Sequence, residues 1–387
     1  MADIKDGRIR VMRIIARMNV GGPAVQVSGL MRGLDSDRFN QVLVTGFCAE
    51  DEADYLDTTA TDVTATRITG LGRSISPRAD FSAFLAVVRE IRSFRPDIIH
   101  THTAKAGVIG RIASLVSGHG SIRVHTFHGH LLHGYFGKSK TSLVILIEKT
   151  LALFTTRLLA VGKKVMDDLL AVGIGNPKKF SVMPPGLQLG PLQGRNDACA
   201  TLGIDPSLRY CAFIGRITKI KRPDRFLDVV ASLHSQGIDI HFIVAGAGDL
   251  LEYCKDRTAK EGLPVAFLGW RDDIENILSA SDLVLLTSDN EGTPLSLIQA
   301  GMAGLPIVAT KVGSISEIVL DGETGLLTDL STHSLTEAMK KLISSPSLRE
   351  VLGTKAREYT IQSYGVARLV KDHDDLYIKL LSDRAKS

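Results

Sequence analysis

At 387 residues the chain is too long for one ordinary hydrophobic core, and two α/β domains of roughly 200 residues each are expected. Hydrophobic residues at 44% and charged residues at 23% exclude a disordered polymer. The net charge of +4 conceals an asymmetry, because residues 1–190 carry 24 Lys and Arg against 16 Asp and Glu, and residues 191–387 carry 22 against 26.

Strand-like apolar runs alternate with helical patterns along the whole chain, which predicts parallel sheets covered by helices on both faces. The first series of strands is expected at 9–16, 41–46, 97–100, 122–127, 158–161 and 180–183. A helix over 24–34 places Ala24, Val27, Leu30, Met31 and Leu34 on one face. The most apolar stretch, 143–161, carries Glu148, Lys149 and Arg157, which are costly in a bilayer, so a buried or interfacial helix is expected there. Residues 183–207 are rich in Pro, Gly and polar residues and form the one convincing linker, with a boundary near Gly190. A second series of strands follows at 209–214, 240–245, 265–268, 283–286 and 306–309. The last helix, 366–381, follows the second sheet and is expected to cross back to the first domain. The expected organisation is therefore a Rossmann-like domain at 1–190, a second at 191–365, and a C-terminal helix at 366–387.

Cys48, Cys199, Cys211 and Cys254 form no C-x-x-C pair, which favours free thiols in a reducing compartment. Residues 4–17 mix charges with apolar side chains, so no signal peptide is read there and a cytoplasmic protein is expected. The basic first half would suit an anionic partner such as a membrane leaflet or a phosphorylated acceptor; the alternative is a chance surface imbalance. Lys and Arg are not interleaved with aromatics, which argues against nucleic acid.

Gly21-Gly22-Pro23 follows the first strand and opens the first helix, where backbone can approach a ligand and unpaired N–H groups attract phosphate; a plain tight turn is the other reading. In Gly246-Ala-Gly248 the third glycine of a dinucleotide fingerprint is replaced by Leu251, so NAD binding is rejected. No phosphate-loop G-x-x-x-x-G-K-[ST] occurs. His100, His102, His125, His128, His130 and His133 crowd one region without metal-ligand spacing. Metal binding, structural hydrogen bonding and substrate contact all stay open for them. His100 to Thr103 and His125 to His130 fall at the C-terminal ends of predicted strands, where open α/β sheets bind ligands.

Arg216, Lys219, Lys221 and Arg222 lie within seven positions after a strand, a spacing suited to a diphosphate leaving group or to a solvated basic loop. The stretch Asp289-Asn-Glu291-Gly292-Thr293-Pro294-Leu295 follows another strand. Gly292 permits close approach, Pro294 is placed to start a helix, and a carboxylate there suits sugar hydroxyls. That helix carries Gln299. Asp372-His-Asp374, the one D-x-D-like string, is read as a solvated helix face.

These motifs resemble glycosyltransferase family 4, retaining enzymes of the GT-B fold. The resemblance rests on Gly215-Arg216 with Lys221, Phe267-Leu-Gly269-Trp-Arg271, Glu291-Gly-Thr-Pro, the Gly304-Leu-Pro306 turn, Gly21-Gly22 and His125-Thr-Phe-His128-Gly129. It implies two Rossmann-like domains whose parallel sheets face a central cleft. His128 would contact the donor sugar near its reacting end, and Arg216 and Lys221 would clamp the diphosphate with the Gly21-Gly22 backbone. Glu291 and the backbone from Gly292 to Leu295 would hold the sugar, and Gly269 to Arg271 would line the base. The family has a second glutamate eight positions after the first, on the ribose; Gln299 stands there in this chain.

The implied reaction moves a sugar from a nucleoside diphosphate, with UDP-glucose or UDP-N-acetylglucosamine expected, to an acceptor hydroxyl with retained configuration. No cofactor and no metal are expected, because fixed cations take the metal's place. The acceptor is not legible; residues 47–72 and 130–140 would choose it, a lipid-linked sugar would suit the latter, and envelope or exopolysaccharide assembly is the expected setting. The alternatives are a nucleotide-sugar 2-epimerase of the same fold, a non-catalytic sugar-nucleotide-binding relative, and a metal hydrolase built on the histidines.

Overall fold

The computed structural model describes residues 7–50, 52–129 and 138–386. Within them the chain divides into two compact units, one built from residues 1–187 with 364–387, the other from 188–363. The expected boundaries at 190 and 365 lie a few residues away from these.

The first unit holds the strands β1 (Ile9–Ile15), β2 (Phe39–Thr45), β3 (Thr66–Arg67), β4 (Ile98–His102), β5 (Ile122–Phe127), β6 (Arg157–Ala160) and β7 (Phe180–Val182). They form one parallel sheet in the order β3-β2-β1-β4-β5-β6-β7. Its helices are α1 (Gly22–Gly33), α2 (Tyr55–Thr58), α3 (Pro77–Phe94), α4 (Ala104–Val116), α5 (Lys138–Leu153) and α6 (Lys163–Ala171).

The second unit holds β8 (Tyr210–Ile214), β9 (His241–Ala245), β10 (Val265–Gly269), β11 (Leu283–Leu286), β12 (Ile307–Thr310) and β13 (Gly325–Thr328), all parallel in the order β10-β9-β8-β11-β12-β13. Around them lie α7 (Arg195–Leu202), α8 (Pro223–Ser235), α9 (Leu251–Glu261), α10 (Ile274–Ala280), α11 (Leu295–Met302), α12 (Ile315–Ile318), α13 (Thr332–Ser344) and α14 (Pro346–Tyr364). The last helix, α15 (Val366–Lys386), belongs to the first unit.

The central strands are buried on both faces, which is why they read as continuous apolar runs rather than alternating ones. Both sheets reverse their strand order once, between β1 and β4 and between β8 and β11. In doubly wound sheets a ligand crevice opens beyond the carboxyl ends of the strands at such a reversal. The fold thus singles out the loops after β1, β4, β8 and β11 before any chemistry is considered.

Three expectations need correction. The stretch 143–161 is not one helix: α5 ends at Leu153 and β6 begins at Arg157. The linker 183–207 contains a helix of its own, α7. The strand expected at 97–100 runs on to His102, so His100 and His102 lie inside the sheet with no exposure, not beyond its end.

The C-terminal helix docks on the first unit as the sequence suggested, and glycine makes the contact possible. A Cβ on Gly33 of α1 would sit 2.3 Å from the Val370 side chain. Further along α15, Tyr377 and Leu380 join the core formed by Val11, Phe39 and Ile98. A buried ion pair between Arg111 of α4 and Glu148 of α5, at 2.8 and 2.7 Å, fastens two helices of the same unit.

Candidate active site

In the second unit the backbone builds the site first. The loops after β8, β9 and β10 are laced by hydrogen bonds from Gly215 N to Ala245 O (3.0 Å), Ile217 N to Ala247 O (2.9 Å) and Gly246 N to Gly269 O (2.7 Å). They pass so close that a Cβ on Gly246 would lie 1.9 Å from the Gly215 carbonyl oxygen. The glycines that fail as a dinucleotide fingerprint thus serve loop packing. They present Arg216 to solvent, its guanidinium without a hydrogen bond or ion pair among the described residues.

Lys221 behaves differently. Its ammonium returns over the end of β8 and donates to Glu291 Oε1 at 2.5 Å, both side chains being nearly buried. The Ser288 hydroxyl donates to the same oxygen at 2.5 Å. The neighbouring backbone is tied down too, with Asp289 N donating to Ile220 O at 2.9 Å and Thr310 Oγ1 to Ser288 O at 2.6 Å. Glu291 Oε2 makes no hydrogen bond among the described residues. Two residues assigned separate roles from the sequence are therefore one ion pair at the β8–β11 reversal.

The four-cation stretch does not act as a unit. Arg222 is neutralised by Asp224 and Asp289, at 2.7 and 3.2 Å, which hold its guanidinium above the usual range. Lys219 is exposed. Of the four, Lys221 is paired with Glu291, and Arg216 has no partner among the described residues.

After β11 the chain runs through Gly292 and Thr293 to Pro294, which caps α11, so the helix begins at Leu295. Gln299 lies one turn further on the same half-exposed face as Leu295, while Leu297, Ile298 and Ala300 are buried. Arg271 makes a two-pronged ion pair with Asp273 at 2.6 Å, which raises the Arg271 pKa and lowers that of Asp273. It is thus held in place beside Gly269.

In the first unit Gly21 caps α1, and a Cβ there would meet only Asn19 O at 3.9 Å, so packing does not demand the glycine. Open space at a helix start suits an approaching anion. Thr103 turns β4 into α4 at φ 65°, a strained conformation for a β-branched residue, and its Oγ1 accepts from Ala16 N at 3.3 Å. His128 follows β5 and is half-buried, its pKa pushed down to about 3 by burial. His130 and His133 lie outside the described residues, as does most of the loop expected to choose the acceptor.

His100 and His125 spend their ring nitrogens inside the first unit. His100 bonds Tyr377 and Thr126 at 2.6 and 2.7 Å, and His125 bonds Thr101 at 2.8 Å. Among the described residues no group of three or more His, Cys, Asp or Glu could hold a metal ion. The solvated-face reading of Asp372-His-Asp374 is half wrong: Asp372 and Asp374 pair with Arg368 and Arg38, but His373 is fully buried. Sequence reasoning missed Ser288 and gave Gly313 no role. A Cβ on Gly313 would lie 1.8 Å from Glu291 O, and the next residue, Ser314, donates its N–H to that oxygen at 3.1 Å. Nothing local to 313 announces a contact with a segment 22 residues away in the chain.

Two doubly wound sheets, each gathering loops at a strand-order reversal, and a fixed cation–carboxylate pair in the second unit suit a nucleotide-dependent group-transfer enzyme, and the comparisons agree with that class. The model described as Glycosyltransferase Family 4 matches residues 20–190, and that described as Glycosyl transferases group 1 matches residues 196–359. The chain belongs to glycosyltransferase family 4 and has the GT-B fold. Among curated relatives, the UDP-Gal:alpha-D-GlcNAc-diphosphoundecaprenol alpha-1,3-galactosyltransferase of Escherichia coli is 28% identical over 347 residues, 86% of this chain and 87% of that protein. The D-inositol 3-phosphate glycosyltransferase of Actinosynnema mirum is 28% identical over 282 residues, 67% of each chain. Among solved structures, HepE of Anabaena in complex with UDP superposes with a TM-score of 0.80 at 20% identity, covering 96% of this chain and 100% of that one.

Proposed function

We propose that this glycosyltransferase moves a hexose from a UDP-sugar to a hydroxyl of a lipid-diphosphate-linked acceptor, with retained anomeric configuration, in cell-envelope or exopolysaccharide assembly. The observation that carries the reading is the Lys221–Glu291–Ser288 cluster beside the exposed Arg216, at the strand-order reversal of the second unit. UDP-glucose and UDP-N-acetylglucosamine remain the expected donors, and the E. coli relative's name adds UDP-galactose to them.

In the proposed reaction the bond from the anomeric carbon to the diphosphate oxygen breaks while the acceptor oxygen forms its bond on the same face. The acceptor proton passes to the leaving diphosphate. Arg216 and Lys221 stabilise the charge that develops there, an effect worth roughly 3–4 kcal/mol per donor removed. Glu291 spends Oε1 on holding Lys221 in place and offers Oε2 to a sugar hydroxyl. His128, neutral at physiological pH, takes no net proton and acts on the donor sugar through a hydrogen bond. No metal is proposed.

Replacing Arg216 or Lys221 with Ala should lower turnover about ten-fold or more and weaken UDP binding. Unchanged kinetics in both variants would discard the assignment. EDTA should leave activity nearly intact; an absolute metal requirement would show that the two cations do not suffice. A thermal-shift panel of UDP-sugars identifies the donor, since a ligand at 100 times its Kd stabilises by about 2.7 kcal/mol.

A lipid-linked acceptor would bring the first unit to a membrane surface. Supporting this, α5 exposes Leu143, Leu146 and Leu153 along one face, and the neighbouring α4 exposes Leu115 and Val116. Lys149, Lys179 and Arg123 cluster about the end of α5, where Lys179 and Arg123 donate to its last carbonyls and to Phe154 O. Apolar knobs ringed by cations suit anionic lipid. No helix among the described residues is long and apolar enough to cross a membrane, and the proposed contact is peripheral.

A further inference from the structure

Five histidines of the first unit, His100, His102, His125, His128 and His373, are held neutral by burial, and the proposed reaction uses His128 alone. Their hydrogen-bond directions can be worked out from one fixed point. Arg13 can only donate, and its Nη2 reaches Tyr377 Oη at 3.4 Å. Tyr377, its pKa raised by burial, therefore keeps its proton and donates to His100 Nδ1 at 2.6 Å. His100 then carries its proton on Nε2 and donates to Thr126 Oγ1 at 2.7 Å. The His100 ring stacks on His102 with centroids 4.2 Å apart, and His102 Nδ1 meets His128 Nε2 at 2.9 Å.

The direction of that last bond is decided at the other end of His102. Its Nε2 is buried without a partner among the described residues. If His128 donated, His102 would carry its proton on Nε2 and bury an orphaned N–H, the rarer and costlier defect. If His102 donates from Nδ1, the orphan is only a lone pair. The second arrangement leaves Nε2 of His128 as an acceptor and puts the His128 proton on Nδ1.

We propose that His102 is a positioning residue that locks His128 in the Nδ1–H tautomer, so that its free nitrogen faces the donor sugar as a hydrogen-bond donor. His102 is itself held flat by the His100 ring, and His100 by Tyr377 of α15, so the C-terminal helix supports the tautomer from behind. The effect on turnover rests on the transferase reading; the tautomer does not.

The test uses full-length protein labelled with 15N-histidine, with His128 assigned by loss of its signals in His128→Gln. Long-range 1H–15N spectra should show His128 neutral and protonated on Nδ1. In His102→Met, whose neutral sulfur can only accept, His128 should switch to the Nε2–H form. Turnover should fall about ten-fold there while donor KM stays within about two-fold, because the lost bond acts near the reacting sugar. His102→Asn, whose amide N–H takes the place of Nδ1–H, should restore both tautomer and turnover, which a merely structural role would not do. Nε2–H on His128 in the wild type, or an unchanged tautomer in His102→Met, overturns the proposal. A flipped tautomer with wild-type turnover supports the lock and removes His128 from the reaction, a failure of the functional reading instead.

Discussion

At Gln299 one side chain separates this chain from the pattern it otherwise resembles. The residue sits on the accessible face of α11, one turn beyond Leu295, where it can face a ribose. An amide oxygen accepts one hydroxyl bond; a carboxylate accepts the same bond and a second with charge assistance. Hydrogen bonds to charged groups contribute about 1.5–3 kcal/mol against about 0.5–1.5 for neutral ones. Gln299→Glu should therefore tighten donor binding by about 1 kcal/mol, roughly five-fold in KM, with little change in turnover. Glu291→Gln should instead cut turnover, because it weakens the hold on Lys221 and the proposed contact to the sugar. Donor KM and turnover of the two variants separate the roles. A weakened donor in Gln299→Glu together with unchanged turnover in Glu291→Gln would overturn the placement of this whole segment.

Among elements, the loop after β12 holds the Glu291 loop after β11. Gly313 adopts φ 52° and leaves no room for a Cβ against Glu291 O. In Gly313→Ala the Glu291 backbone must move, and with it the carboxylate that positions Lys221. Turnover should fall about ten-fold or more, since small displacements of reacting groups are heavily penalised. Gly262→Ala is the control, because Gly262 has a similar φ of 62° at the end of α9 but nothing within 4 Å of a Cβ. It should carry about 1–2 kcal/mol of backbone strain and keep its kinetics. Equal activity loss in both would mean that strain, not the contact with Glu291, matters at 313.

Across the whole molecule, the neutral histidines make stability depend on pH with a definite sign. Burial holds His128 and His373 down to about 3 and pushes His100, His102 and His125 well below their ordinary value near 6.5. Between pH 6.5 and 3 the unfolded chain binds protons that the folded chain does not. Stability is therefore intact above pH 6.5 and lost as pH falls, by about 1.4 kcal/mol per pH unit for each such histidine. Denaturant midpoints should drop steeply below pH 6; a flat profile from pH 7 to 4 would show that the cluster is protonated when folded. The surface makes a separate prediction. Binding to vesicles of acidic lipid should weaken as salt rises, the Debye length shrinking to about 10 Å near 0.1 M. Leu146→Ser with Leu153→Ser should remove what high salt leaves. Equal binding to neutral vesicles, or none at low salt, would count against a lipid-facing surface.

The sequence by itself determined the alternation of strands and helices, the two-unit division, the return of the C-terminal helix and the Arg216, Lys221 and Glu291 motifs. These are written locally: apolar runs fix strands buried on both faces, and glycine, proline and charged residues mark the loops at their ends. Where a signal was purely local it could also mislead, as at 143–161, where a helix and a strand are equally apolar. Only the tertiary structure decided that Lys221 and Glu291 are partners, that Gly313 braces the latter, and that Arg222 is neutralised by Asp289. It likewise decided that His373 and Tyr377 stand behind His100 and His102, joining a helix at the end of the chain to strand β4. Each of these pairs is tens to hundreds of residues apart, and strand order, which no single stretch of sequence encodes, brings them together.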